Sequence, residues 1–94
     1  MEKERDISRE IKELIVKEFF VDEKEVVPEA KLTDNLGLDS VDLLELRWLL
    51  EDENQFGIEI PDEDLDEITT FGKVVEYIQK RLAEKEQKPL TYSI

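Results

Sequence analysis

The stretch LGLDSVDLLELRWLL, residues 36–50, decides how this chain is read. Wound as a helix at about 100° per residue, it carries two apolar stripes rather than one. Leu43, Leu46 and Leu50 share one side, and Val41, Leu44 and Trp48 lie on nearly the opposite side. A helix of a small globular domain needs a single apolar stripe to join the core. The first stripe is therefore assigned to the core. The second, bordered by Asp39, Asp42, Glu45, Glu51 and Asp52, is assigned to a partner. An exposed apolar surface with a polar rim is a docking surface, and Trp is a favoured anchor within one. The alternative is that Val41, Leu44 and Trp48 pack beneath the long loop before the helix.

Working outward, this helix is predicted over residues 40–55, with Gly57 ending it. Upstream, DISREIKELIVKEFF sets Ile7, Ile11, Leu14, Ile15 and Phe19 at helical spacing behind Asp6 as cap, which predicts a helix over residues 6–20. The connection VDEKEVVPEAKLTDNLGLD is broken by Pro28 and Gly37. A loop of this length is usually functional or pinned, and Val26, Val27, Leu32, Leu36 and Leu38 are the candidate pins. Downstream, Phe56, Ile58 and Ile60 alternate as in a strand, but a lone strand has nothing to pair with, so they read as an extended loop on the core. Pro61 opens DEDLDE, one or two helical turns anchored by Leu65 and Ile68. Thr69 or Thr70 then caps FGKVVEYIQKRLAEK, with Phe71, Val74, Val75, Ile78 and Leu82 facing inward. Lys80, Arg81 and Lys85 suit the negative pole of that helix. KPLTYSI, which contains Pro89, reads as a disordered tail. The expectation is an all-α fold: a small four-helix bundle, three helices long and one short, with a long loop between the first two. One domain spans residues 1–83, and residues 84–94 hold the helix end and tail.

A chain of 94 residues makes one domain; at this size it buries about 60–65% of its unfolded surface, enough for one modest core. It has no cysteine and no histidine. The first absence removes disulfides, thiolate nucleophiles and zinc–thiolate sites. The second removes the usual general base at neutral pH, so the chain is not expected to be an enzyme. The net charge of −13 argues against nucleic acid as a partner. From Lys31 to Thr70, thirteen acids face only Lys31 and Arg47. That imbalance is either a self-repelling soluble surface or a beacon for basic partners. The opening MEKERDISRE lacks the apolar core of a secretion signal. No stretch approaches the roughly 20 apolar residues that span a bilayer, so a cytoplasmic protein without membrane insertion is expected.

Two places invite a chemical reading. Asp62, Asp64 and Asp66 match the first ligands of an EF-hand loop, but Glu67 stands where that loop needs glycine and Lys73 where it needs glutamate. No metal site is assigned, and dispersed divalent-ion binding that relieves repulsion is all that remains for the cluster. Ser40 is different. As a helix cap, it or Asp39 contributes about 1 kcal/mol. Its position adds more, because a hydroxyl at a helix N-terminus stands where the dipole and free N–H groups favour a phosphate. With no histidine to activate it, Ser40 is not a catalytic nucleophile. It is instead a candidate site for a phosphorylated group attached by another enzyme.

On LGLDSVDLLEL, followed by FGIEIPDEDLDEITTFGKVVEYI, the chain resembles the acyl carrier proteins, from the first helix to about Leu82. The resemblance implies that Ser40 carries 4′-phosphopantetheine through a phosphodiester, installed from coenzyme A by a phosphopantetheinyl transferase. The arm would then supply the thiol that a chain without cysteine lacks. It further implies that Asp39, Val41, Leu44, Glu45 and Trp48 meet basic, apolar-centred patches on acyl-processing enzymes. Leu43, Leu46, Leu50 and Ile58 would shelter the acyl chain, each methylene contributing about 0.8 kcal/mol. The expected function is a free-standing, monomeric carrier of fatty-acid synthesis. Val41, Arg47 and Trp48 depart from the residues commonest in the family, and the run from Ser40 to Ile60 is slightly long. A specialised carrier for polyketide or unusual-lipid synthesis is therefore the alternative within the family, and an unmodified acidic adaptor the alternative outside it.

Overall fold

A computed structural model describes residues 6–92, with side chains described as far as Lys85. Three α-helices, α1 (Ile7–Phe19), α2 (Ser40–Glu51) and α3 (Phe71–Tyr92), are joined by a 3-10 helix at Asp62–Glu67 and a single 3-10 turn at Glu23–Glu25. The bundle of three long helices and one short is thus the one the apolar spacing predicts. Among the described residues no helix is long and apolar enough to cross a membrane.

Each α-helix starts where a polar side chain satisfies a free N–H. Asp6 accepts from Arg9 N at 3.1 Å, and the Thr70 hydroxyl accepts from Lys73 N at 3.2 Å. From α1, Ile7, Ile11, Leu14 and Ile15 enter the core; from α3, Phe71, Val74, Val75, Tyr77 and Ile78 do so. Tyr77 is an addition to the predicted inner face, and Leu82 is only partly buried at its edge.

The loop between α1 and α2 is pinned, with one change of pin. Val26, Leu32, Leu36 and Leu38 are buried, but Val27 is exposed and Ala30, at 4% exposure, takes its place. The reason is backbone pairing: Leu32 N donates to the Thr69 carbonyl, Phe71 N to that of Ala30, and Gly72 N to that of Pro28. These bonds and the isolated bridge between Lys31 and Thr70 lay the loop along the start of α3. The approach requires a glycine at 72, since a Cβ there would stand 2.9 Å from the Pro28 carbonyl oxygen.

Two helix ends differ from expectation. α2 stops at Glu51 rather than at 55, because Asp52 turns to an extended conformation (ψ 133°) and its carboxylate accepts Asn54 N at 2.8 Å. Gly57, at φ 59°, completes the turn by donating its N–H to the Asp52 carbonyl at 2.9 Å. Phe56, Ile58 and Ile60 then run over the core as a buried loop. α3, by contrast, continues to Tyr92, through the segment read as a tail. The run AEKEQK that precedes Pro89 is composed of strong helix formers, and proline's own fixed φ is helical.

Candidate functional site

Ser40 opens α2, and the folded loop before it sets its place. Lys31 N donates to Asn35 Oδ1 at 2.7 Å, Leu36 N to the Lys31 carbonyl at 3.1 Å, and Leu38 N to the Leu32 carbonyl at 3.0 Å. Buried Leu36 and Leu38 then deliver Asp39 to the helix start. Asp39 is the cap: its carboxylate accepts Asp42 N at 2.9 Å, and the Asp42 carboxylate accepts Asp39 N at 3.2 Å. This reciprocal box satisfies two backbone donors and turns both carboxylates onto the backbone.

Ser40 is therefore released from capping. Its side chain is exposed and, among the described residues, makes no hydrogen bond. The N–H groups of Ser40 and Val41 have no acceptor within the helix, and they lie at the positive end of its dipole. A phosphodiester on the Ser40 hydroxyl fits this setting in charge and in access.

Beside Ser40 opens a cavity of about 260 Å³, walled by Leu43, Leu44, Leu46, Arg47 and Leu50 of α2, by Leu32 of the loop, and by Leu65 and Ile68 across from them. Three of the four residues expected around an acyl chain, Leu43, Leu46 and Leu50, lie on this wall. Ile58 does not; it is buried in the core at 7% exposure. Leu32, Leu44, Arg47, Leu65 and Ile68 are the walls that sequence reading missed as such; Leu44, expected on the outer stripe alone, stands 41% exposed at the border of stripe and cavity. The sequence makes Leu65 and Ile68 anchors of the 3-10 segment; they also border the cavity, and Leu65 is 38% exposed.

The outer stripe of α2 stays open. Val41 is 70% exposed, Trp48 60% and Leu44 41%, while Leu46 and Leu50 are buried. The loop does not cover Trp48. Glu45 is exposed among them and forms no ion pair among the described residues.

The far wall of the cavity is held by charge from both sides. From α2, Arg47 Nη1 donates to Asp62 Oδ1 at 2.7 Å, and its Nε lies 3.7 Å from Glu51 Oε2. The hydrogen bond to Asp62 is the main reason the guanidinium pKa is raised, against a smaller lowering by burial. Glu51 in turn accepts Ile60 N at 2.8 Å. From α3, the Tyr77 hydroxyl donates to Asp64 at 2.6 Å and accepts from Arg81 at 3.0 Å. Burial first, then the bond to Asp64, pushes the Tyr77 phenol up to about 12.

Comparison with known proteins agrees with this geometry. Residues 9–78 match the family described as "Phosphopantetheine attachment site". The acyl carrier protein of Thermotoga maritima is 42% identical over 82 residues, which cover 87% of this chain and 99% of that one. The acyl carrier protein of Amoebophilus asiaticus is 45% identical over 80 residues, covering 85% and 98% respectively. Fold, exposed helix-start hydroxyl and family match together define a phosphopantetheine-bearing carrier domain. The chain belongs to the acyl carrier protein family. It carries acyl intermediates between acyl-processing enzymes and is not itself a catalyst.

Proposed function

We propose that Ser40 bears the 4′-phosphopantetheine arm and that the protein serves fatty-acid synthesis as a cytoplasmic monomer. The observation that carries this reading is the free, exposed Ser40 hydroxyl at the first position of α2, on the rim of an apolar cavity. Supporting it, Ser40 is the sole serine within the family-matched residues 9–78. A separate transferase must deprotonate Ser40, since the chain has no histidine. Ser40 Oγ then bonds to the phosphorus next to pantetheine in coenzyme A, and adenosine 3′,5′-bisphosphate leaves. Once attached, the arm supplies a thiol for acyl thioesters and raises their local concentration at each partner site.

The residues around Ser40 divide the remaining work. Val41, Leu44 and Trp48 offer the apolar contact to a transferase or acyl-processing enzyme, and Glu45 adds charge for its basic patch. Asp39 contributes charge beside the serine in addition to its cap. Leu43, Leu46 and Leu50, with Leu32, Leu65 and Ile68, shelter the chain between transfers. The high net charge keeps copies apart, as a monomer requires.

The test is intact mass before and after incubation with coenzyme A and a broad-specificity phosphopantetheinyl transferase, with Ser40→Ala in parallel. A gain of one phosphopantetheine in the wild type and none in the variant is expected. No gain by folded, previously unmodified wild type would refute the reading and leave an acidic adaptor.

A further inference from the structure

The cavity beside Ser40 lies between two elements that are tied together at few points. On one side is α2; on the other are Leu65 and Ile68, of the 3-10 helix and its exit. Among the described residues, the polar bond that joins α2 directly to the 3-10 helix is Arg47 Nη1 to Asp62 Oδ1, at 2.7 Å. Arg47 is itself a cavity wall, and its side chain is only 21% exposed. Glu51, beside the same guanidinium, holds Ile60 N and so fixes the approach to the 3-10 helix. A second mooring, Asp64 to Tyr77 and Arg81, ties the opposite side of the 3-10 helix to α3. With the α2 mooring released and the α3 mooring kept, the Leu65 wall is free to move away from α2. The space between them then grows.

We propose that Arg47 is a specificity-determining latch: bonded to Asp62, it limits the length of chain the cavity accepts. This rests on reading the cavity as the acyl site. The latched cavity, at about 260 Å³, leaves room for only part of a long acyl chain. Longer chains are accommodated only by breaking the Arg47–Asp62 bond. The cargo favoured by the closed form is therefore a short or medium-length acyl group.

The full chain, loaded by a phosphopantetheinyl transferase from acyl-coenzyme A donors of increasing length, tests this through the melting temperature of each acylated form. Two variants accompany the wild type. Arg47→Met keeps the apolar stem and removes the guanidinium. Asp62→Ala removes the acceptor, and so opens the latch, from an 83%-exposed side chain that lines no part of the cavity. In the wild type, melting temperature is expected to climb with chain length and level off once the chain fills the cavity. In both variants the plateau is expected to shift to longer chains. A plateau unmoved in both variants overturns the latch. So does a plateau moved in Arg47→Met alone, which would make wall volume, not the bond, the cause. A wild-type melting temperature indifferent to chain length overturns the acyl-site reading, and the latch with it.

Discussion

Replacing Trp48 and Leu50 by alanine, one at a time, separates the two stripes of α2. Leu50 is 0% exposed, and truncating such a leucine costs about 2.7–5.0 kcal/mol through lost burial and the cavity left behind. Trp48 is 60% exposed. Complete burial of a large apolar side chain contributes up to about 3 kcal/mol, so the covered two-fifths of Trp48 contributes about 1 kcal/mol. Alanine is the better helix former, which offsets up to about 0.5 kcal/mol of that loss. At about 4–8 °C per kcal/mol for a domain of this size, Trp48→Ala should melt within about 5 °C of wild type. Leu50→Ala should fall by more than about 10 °C on the same scale. At the partner the order reverses. Loss of an aromatic anchor costs about 2 kcal/mol or more, which is about a thirtyfold loss of affinity. The assay is circular-dichroism melting of the three proteins, paired with the rate of phosphopantetheine loading at carrier concentrations below saturation. A fall in melting temperature for Trp48→Ala as large as for Leu50→Ala would place the indole in the core. Wild-type loading by Trp48→Ala would remove the outer stripe from docking.

Glu45→Lys reverses an unpaired charge on the outer face and should slow loading severalfold at low salt, with the gap closing as salt rises; equal rates at low salt would exclude steering by this face. Tyr77→Phe probes the raised phenol. Its pKa is about 12 in the fold and about 10 when unfolded, so above pH 10 the unfolded chain gives up a proton that the folded chain keeps. The stability present below pH 10 is thus lost as pH rises to about 12, by at most about 2–3 kcal/mol. Urea titrations across that window should show a flatter profile for Tyr77→Phe, and an identical slope would contradict the assignment. Gly72→Ala presses a methyl against the Pro28 carbonyl. A loss of about 1–3 kcal/mol in denaturant unfolding is expected, and an unchanged midpoint would mean that the loop yields freely.

Much of the fold is local and therefore legible in the residues. Ile7, Ile11, Leu14 and Ile15 declare α1 by spacing alone, and Asp6 declares its start. The two-sided character of α2 is equally local, since the ten residues 41–50 suffice to separate Leu43 and Leu50 from Val41 and Trp48. What escaped reading depends on distant partners or on weak signals. Ala30 carries too little apolar surface to stand out beside Val27, and it is buried because its carbonyl pairs with Phe71 N. The end of α2 is decided by Asp52, one acid in the run Glu51–Asp52–Glu53 with nothing to distinguish it before its bond to Asn54 is seen. The resemblance implies Ile58 beside an acyl chain; Ile58 is buried in the core and off the cavity, which Leu65 and Ile68 border because the 3-10 helix lies across from α2. Arg47 read as a departure from a pattern; its role needs Asp62, fifteen residues on.

The net charge of −13 hides a division of labour between two groups of acids. On the side facing α3 and the cavity, bases reach in from both helices: Arg47 to Asp62, Arg81 to Asp64, and Lys85 Nζ to the Gly57 carbonyl at 2.9 Å. These contacts hold the segment from Gly57 to Asp64 against its own repulsion. Along the outer face of α2, among the described residues, no base answers Glu45, while Asp39 and Asp42 are turned onto the backbone by the capping box. The field available to a partner therefore comes from where compensation is missing rather than from the total. Within a Debye length of about 10 Å, a basic patch approaching Val41, Leu44 and Trp48 meets uncompensated charge. The same patch approaching Asp62 meets a carboxylate already engaged. Equal changes of charge at Glu45 and Asp62 are thus unequal in effect: the first acts on encounter with enzymes, the second on the wall of the cavity.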